Sequence, residues 1–249
     1  MSGRRRRVPC VGVADLTRPP LDGAAGAGLP GDVGTGESEV AMSGQHVAYW
    51  DAQAASYDRV TAWAERRLLA DARAWVGARA HGRTLDVGVG TGANLPHLVG
   101  HADSLVGVDQ SAAMLDLARR RARSLGADVE LVQGDAAALP WPDASFDTVV
   151  CTFSLCCVDD EVAVLRELAR VVRPDGAVLL ADHVESSAGV IRAGQRVLEA
   201  VERRHGERFR RRPLVRLSEA GLAALEHEAS RYRLVERVAA RRERRKRRD

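Results

Sequence analysis

Asp86-Val87-Gly88-Val89-Gly90-Thr91-Gly92 sets three glycines at alternate positions directly after a hydrophobic run. Glycine lets the backbone approach a ligand closely and take φ > 0 where a turn requires it. A helix opening after such a turn adds outward-pointing N–H groups that suit polar or anionic ligand atoms. No Gly-Lys-Ser/Thr follows Gly92, so a Walker A phosphate loop is excluded. Asp109 ends the next hydrophobic run, 21 residues after Gly88. An acceptor carboxylate at that depth reaches ribose hydroxyls. Asp135 follows a third run after Gly134, where it can receive an adenine amino proton.

Dinucleotide enzymes and methyltransferases both place glycine turns here, so the turn and Asp109 leave NAD and S-adenosylmethionine open. The elements around them narrow the architecture. Strands are predicted at Thr84–Val87, Leu105–Val108, Val129–Val132, Phe146–Thr152 and Ala177–Ala181. Helices are predicted between them, at Ala93–Leu98, Ala112–Ser124 and a span with its apolar face on Val162–Val172. Pro174 and Gly176 end that last helix. This alternation predicts a Rossmann-like three-layer α/β/α sandwich with a mostly parallel sheet. Leu222–Glu228 and Leu234–Ala239 would add a terminal antiparallel pair, giving seven strands. Upstream, Tyr49, Trp50, Tyr57, Trp63, Leu68, Leu69, Trp75 and Val76 recur at helical spacing and predict two helices. Downstream, a helix through about Val190–Arg204 carries an apolar stripe of Val190, Val197, Leu198 and Val201.

Charge and composition set the boundaries. Residues 1–42 are neutral and rich in Gly, Pro and Ala, and read as a disordered extension or as a start assigned upstream of Met42. Residues 43–240 form the domain, and 241–249 a basic flexible tail. Residues 43–191 carry a net charge of −7, whereas 192–212 and 241–249 are each +5. The acidic part makes no case for nucleic acid, while the basic tail predicts weak contact with RNA or an anionic surface. No apolar run reaches the roughly 18 residues of a membrane span. Cys10, Cys151, Cys156 and Cys157 show neither a disulfide framework nor metal-ligand spacing, so no metal is expected and the setting reads as cytoplasmic.

Four segments in order carry a family resemblance: LDVGVGTGANLPHL (Leu85–Leu98), VGVDQSAAML (Val106–Leu115), GDAAALPWPDASFDTVVCTFSLCCV (Gly134–Val158) and LRELARVVRPDGAVLLADHV (Leu165–Val184). Together they resemble the class I S-adenosylmethionine-dependent methyltransferases. The similarity is strongest to the branch of ubiquinone/menaquinone-biosynthesis, phospholipid and thiol methyltransferase-like enzymes, over about Gln45–Arg241. The resemblance implies S-adenosylmethionine as cofactor and S-adenosylhomocysteine as product. It implies that Gly88, Gly90 and Gly92 surround the methionine part, with Asp86 orienting its ammonium group. Asp109 would accept from both ribose hydroxyls, and Ser111 and Met114 would line the adenine. Asp135 and the Ala136 N–H would read the adenine, Thr152 and Phe153 would floor the methionine pocket, and Tyr57-Asp58 would help close it. Pro174-Asp175-Gly176 departs from the family's Pro-Gly-Gly, which puts that loop's geometry in question.

Methyl transfer from a sulfonium needs an aligned acceptor lone pair, and a base only where the acceptor must lose a proton. His183, beside Asp182 at the end of the fifth strand, is the candidate catalytic base, since strand C-termini face the ligand crevice. Ser154–Val158 and Asp182–Val184 look like the thiol branch, so a small or lipophilic acceptor is expected, a thiol first. A quinone precursor or phospholipid amine is the alternative. A noncatalytic cofactor-binding regulator and an NAD-dependent oxidoreductase are further alternatives. Arg208, Arg210, Arg211 and Arg212 are candidates for an anionic head group of a small-molecule or lipid-like substrate.

Overall fold

The computed structural model describes residues 36–202 and 213–243. Five strands run parallel: β1 (Arg83–Val87), β2 (Ser104–Asp109), β3 (Val129–Gln133), β4 (Phe146–Thr152) and β5 (Val172–His183). Two more, β6 (Leu222–Ala229) and β7 (Val235–Arg242), complete the sheet in the order β3-β2-β1-β4-β5-β7-β6. Strand β7 runs antiparallel to both neighbours, as the terminal pair predicts. The order reverses between β1 and β4, the switch point at which open α/β sheets leave a crevice beyond their strand ends.

Both faces of the sheet are covered, which is why its central strands are runs of apolar residues rather than alternating ones. On one face, Leu165, Leu168 and Val171 of α5 (Glu161–Val171) pack against Val149, Val178 and Leu180. On the other, Leu69, Trp75 and Val76 pack against Val150 and Leu179. Side chains start the helices that position the crevice. Asp160 accepts the Val162 and Ala163 N–H groups at the start of α5, and Ser111 accepts that of Met114 at the start of α4 (Ala112–Ser124). Such caps satisfy donors that the first helical turn leaves open.

Several boundaries differ from the sequence reading, each for a local reason. The two N-terminal helices form one continuous path: α1 (Gly36–Ala64), a π-helical turn (Glu65–Leu69) and α2 (Ala70–Gly77). Helix α1 thus begins upstream of residue 43. The helix after the glycine turn shrinks to α3 (Leu95–Leu98), because residues 91–94 remain in turns. Strand β5 begins at Val172, directly after α5. Phe146 pairs with Val172 and Thr148 with Ala177, so Arg173–Gly176 bulge out between them. Asp175 does not take positive φ there. Gly176 is needed for close approach instead, since a Cβ would lie 2.6 Å from the Asp147 carbonyl oxygen. The departure from Pro-Gly-Gly therefore falls on the permissive position. Strand β7 continues through Arg242, into the segment read as tail.

Helix α6 (Gly189–Glu202) follows β5, but Val190 and Val197 do not enter the core: Val190 is 89% exposed and Val197 66%. Leu168, by contrast, is fully buried in the α5 layer. Leu168→Ala is expected to cost about 2–5 kcal/mol in urea unfolding, whereas Val190→Ser changes stability by less than about 0.5 kcal/mol. Equal losses for the two variants would contradict this placement of the core.

Candidate active site

The C-terminal ends of β1, β2 and β4 open into a cavity of about 660 Å³, within the usual size of small-molecule sites. Gly88, Gly90 and Asp109 line it from the first two strands, and Met114, Asp135 and Ala136 from the elements beyond β2 and β3. Thr152 and Phe153 come from the end of β4, and Tyr57 from α1. Nine residues singled out in the sequence therefore meet in one space. Asp86, Gly92, Ser111 and His183 do not form its wall.

The glycine turn is held in left-handed backbone. Gly88 has φ 68°, and a Cβ there would sit 2.4 Å from Ser154 Oγ. Gly90 has φ 53°, faces open space, and donates its N–H to Asp109 Oδ2 at 2.8 Å. Asp109 Oδ1 accepts the Ser111 N–H at 2.9 Å. Burial raises the Asp109 pKa, and these N–H groups act against that rise. Gly92 turns away from the cavity. Its φ is 79°, and a Cβ would press on Leu95 and Ala118, so it lets the turn pack on α4. Ser111 stands one layer behind, capping α4 and donating its hydroxyl to Asp51.

Arg73 of α2 is the residue that sequence reasoning missed. It lines the cavity although only 7% exposed. Its Nε and Nη2 donate to Glu65 at 2.7 and 3.2 Å, and Nη1 donates to Asn94 Oδ1 at 2.8 Å and Thr152 Oγ1 at 2.9 Å. Four of five guanidinium N–H groups are thereby used, leaving one on Nη2. Asn94 Nδ2 in turn donates to Asp86 Oδ1 at 2.9 Å. Asp86 is buried beneath the turn, and its Oδ2 has no hydrogen bond. Burial pushes its pKa up to about 7, against the lowering effects of the Asn94 hydrogen bond and the Arg73 charge. The available signal was an arginine at i+4 from Leu69 and i−3 from Val76, on a buried helical stripe.

Two carboxylates staple α1 over the rim. Asp51 takes the Ser111 hydroxyl, and Asp58 accepts the Thr91 hydroxyl at 2.7 Å and pairs with Arg121. Between them, Tyr57 lines the cavity and packs edge-on against Trp50, with ring centroids 6.0 Å apart.

Phe153 carries φ 54°, a conformation bulky residues rarely adopt and one that clusters at functional sites. Arg73 stacks over its ring at 4.9 Å. The His183 ring also lies 4.9 Å from the Phe153 ring, outside the cavity wall. His183 Nδ1 is 3.7 Å from Asp182 Oδ1 and 4.0 Å from Cys156 Sγ. Burial, then the charge of Arg73, lowers the His183 pKa to about 4, so the ring is neutral near pH 7. Burial raises that of Asp182 to about 6. The Cys156, Asp182 and His183 donor atoms lie within 4.8 Å of one another, a convergence that sequence spacing did not show. Arg208, Arg210, Arg211 and Arg212 lie outside the described residues. In a 13C titration of the ligand-free protein, the Asp86 carboxyl is expected near pH 7. Asn94→Ala should move it higher by removing a hydrogen bond to the ionised form. A midpoint at the ordinary aspartate value would contradict this geometry.

Residues 85–180 match a family described as "Methyltransferase domain". The chain is 38% identical over 149 residues to a phosphatidylethanolamine N-methyltransferase from Cereibacter sphaeroides, covering 59% of this chain and 70% of that protein. It is 36% identical over 127 residues to a demethylmenaquinone methyltransferase from Renibacterium salmoninarum, covering 51% of each. Thus it spans only about half of that second relative. The solved structure of YcgJ from Bacillus subtilis superposes with a TM-score of 0.55 at 26% identity, over 65% of this chain and 73% of that one. With the crevice at the switch point and Asp109 at its edge, the chain belongs to the class I S-adenosylmethionine-dependent methyltransferases, related to the demethylmenaquinone and phospholipid methyltransferases.

Proposed function

We propose that the chain methylates a lipophilic acceptor of the quinone-precursor or phospholipid-amine kind, rather than the thiol that Ser154–Val158 brought forward. The observation that carries this is the 38% identity to a phosphatidylethanolamine N-methyltransferase across 70% of that protein. The quinone-branch relative supports the same class of acceptor. Between the two, the longer match favours the phospholipid amine.

The cavity residues fit S-adenosylmethionine. Behind the wall, Asp86 Oδ2, buried without a hydrogen bond, is a partner for an ammonium group, directly or through water. The remaining Nη2 hydrogen of Arg73 is a partner for the α-carboxylate. Open space over Gly90 admits the sugar against Asp109, whose carboxylate oxygens have lone pairs left for ribose hydroxyls beside their backbone N–H partners. Met114, Asp135 and the Ala136 N–H take the adenine, while Thr152 and Phe153 hold the methionine end. Ser111 and Gly92 act behind the wall, by fixing α4 and the turn. When bound, S-adenosylmethionine supplies a methyl group on a positively charged sulfur that an acceptor lone pair displaces in line. The protein's part is alignment and exclusion of water, supported by α1 across the rim.

We assign His183 to the support of Phe153 rather than to proton removal. Its ring stands behind Phe153, and its Nδ1 lies between Asp182 and Cys156. His183→Ala is expected to change kcat by less than about tenfold, whereas removing a general base costs about 10²–10⁴-fold.

Labelled methyl transfer to detergent-dispersed phosphatidylethanolamine, a demethylated quinol and a panel of alkyl thiols tests the acceptor. Label is expected in one of the two lipids, and Asp109→Ala should weaken S-adenosylhomocysteine binding by about 10²-fold through two lost charge-assisted hydrogen bonds. Label in thiols alone would reverse the assignment.

A further inference from the structure

Two surfaces beside the cavity expose apolar side chains with arginines among them. On α1, Val60 is 72% and Trp63 63% exposed, and Arg59, Arg66 and Arg67 are exposed around them. Trp63 lies two residues before Glu65, whose carboxylate grips Arg73 on the cavity wall. On α6, Val190 and Val197 stand exposed, with Arg192 and Arg196 on the same helix. Helix α6 leaves the C-terminal end of β5, the edge of the sheet at which the cavity opens. The β6–β7 turn is tied to its start, since Ser186 Oγ and Ser187 N donate to the Tyr232 carbonyl.

The charges are as distinctive as the apolar groups. Arg59, Arg66, Arg67, Arg192 and Arg196 form no ion pair among the described residues, whereas Arg73, Arg79, Arg121, Arg170, Arg216 and Arg237 all do. Residues 43–191 are net −7 and residues 192–212 are +5; α6 carries two arginines and two glutamates, so the positive excess belongs to the sequence that follows it, 203–212, outside the described residues. Helices that lie in a bilayer interface combine exposed apolar groups with arginines able to meet anionic headgroups. Tryptophan is favoured there because its indole has an apolar body and one polar N–H. RNA fits less well, since Val60, Val190 and Val197 offer its bases no stacking surface.

We propose that the exposed faces of α1 and α6 seat the protein on an anionic bilayer, with the cavity rim towards the lipid. This rests on the reading of a lipophilic acceptor, which a cavity at the membrane surface receives without crossing water. No helix of the described residues is long and apolar enough to span the membrane, so contact is at the surface.

Sedimentation of the full chain with phosphatidylcholine vesicles, with and without phosphatidylglycerol, tests the inference. The protein is expected to pellet with the phosphatidylglycerol vesicles and to release as salt rises from about 0.1 to about 0.5 M. The double variant Trp63→Ser/Val197→Ser should bind those vesicles at least about tenfold more weakly. Its S-adenosylhomocysteine affinity should stay at the wild-type value, which also reports folding. Equal pelleting of wild type and variant would overturn the inference, as would no pelleting at all. Binding to a homopolymeric RNA without vesicle binding would overturn it too. So would a dimer that the double variant dissociates while vesicles go unbound. Methylation of a detergent-dispersed lipid without vesicle binding would sink this inference and leave the acceptor reading intact. Vesicle binding with no lipid methylated would do the reverse.

Discussion

A guanidinium placed inside a protein needs partners for its hydrogen bonds and its charge, and Arg73 finds four of them in three different parts of the chain. Glu65 comes from the π-helical turn, Asn94 from the segment after the glycine turn, Thr152 from the end of β4, and the Phe153 ring from the residue beyond. One buried cation thus ties the N-terminal helices to the switch point of the sheet. The π-helical turn, which widens the helix by one residue, sets Glu65 and Arg73 in register. The same network reaches Asp86 through Asn94, so the cavity floor and the glycine turn share one set of hydrogen bonds.

Around that network the sheet supplies rigidity and the loops supply chemistry. Strands β1, β2 and β4 are buried along most of their length, which fixes where their C-terminal ends stand. Gly88 and Gly90 then bring backbone rather than side chains to the cavity. Asp109 holds the turn in shape through the Gly90 N–H. Its carboxylate therefore serves both the fold of the turn and the ligand that would lie above it. Asp51 and Asp58 extend the same logic to α1, where charged groups hold a cover in place without closing the site behind a hydrophobic seal.

What could be read in the sequence was local. Strand β4 and helix α4 fall where their apolar patterns place them, because each pattern is complete within one element. Gly88, Gly90 and Asp109 were legible because a turn and a strand end carry their own residue types. Arg73 and Asn94 were not, since their meaning depends on partners from 8 to 79 residues away. The convergence of Cys156, Asp182 and His183 was hidden for the same reason: β4 and β5 are neighbours only in the folded sheet. His183 lies at a strand end as expected, yet the direction of its ring, behind Phe153, is a matter of packing. The exposure of Val190 and Val197 was equally invisible, because an apolar stripe looks the same whether it meets a core or a lipid surface.

The central claim is that Arg73 and Asp86 hold the amino-acid end of the cofactor. Calorimetric titration with S-adenosylhomocysteine and with methylthioadenosine, which lacks that end, tests it most directly. Wild-type protein should prefer S-adenosylhomocysteine by about 10²-fold, the worth of two charge-assisted contacts. In Arg73→Met, methylthioadenosine affinity should stay unchanged, showing an intact fold, while the preference falls by about tenfold or more. A variant that keeps the full preference would contradict the account.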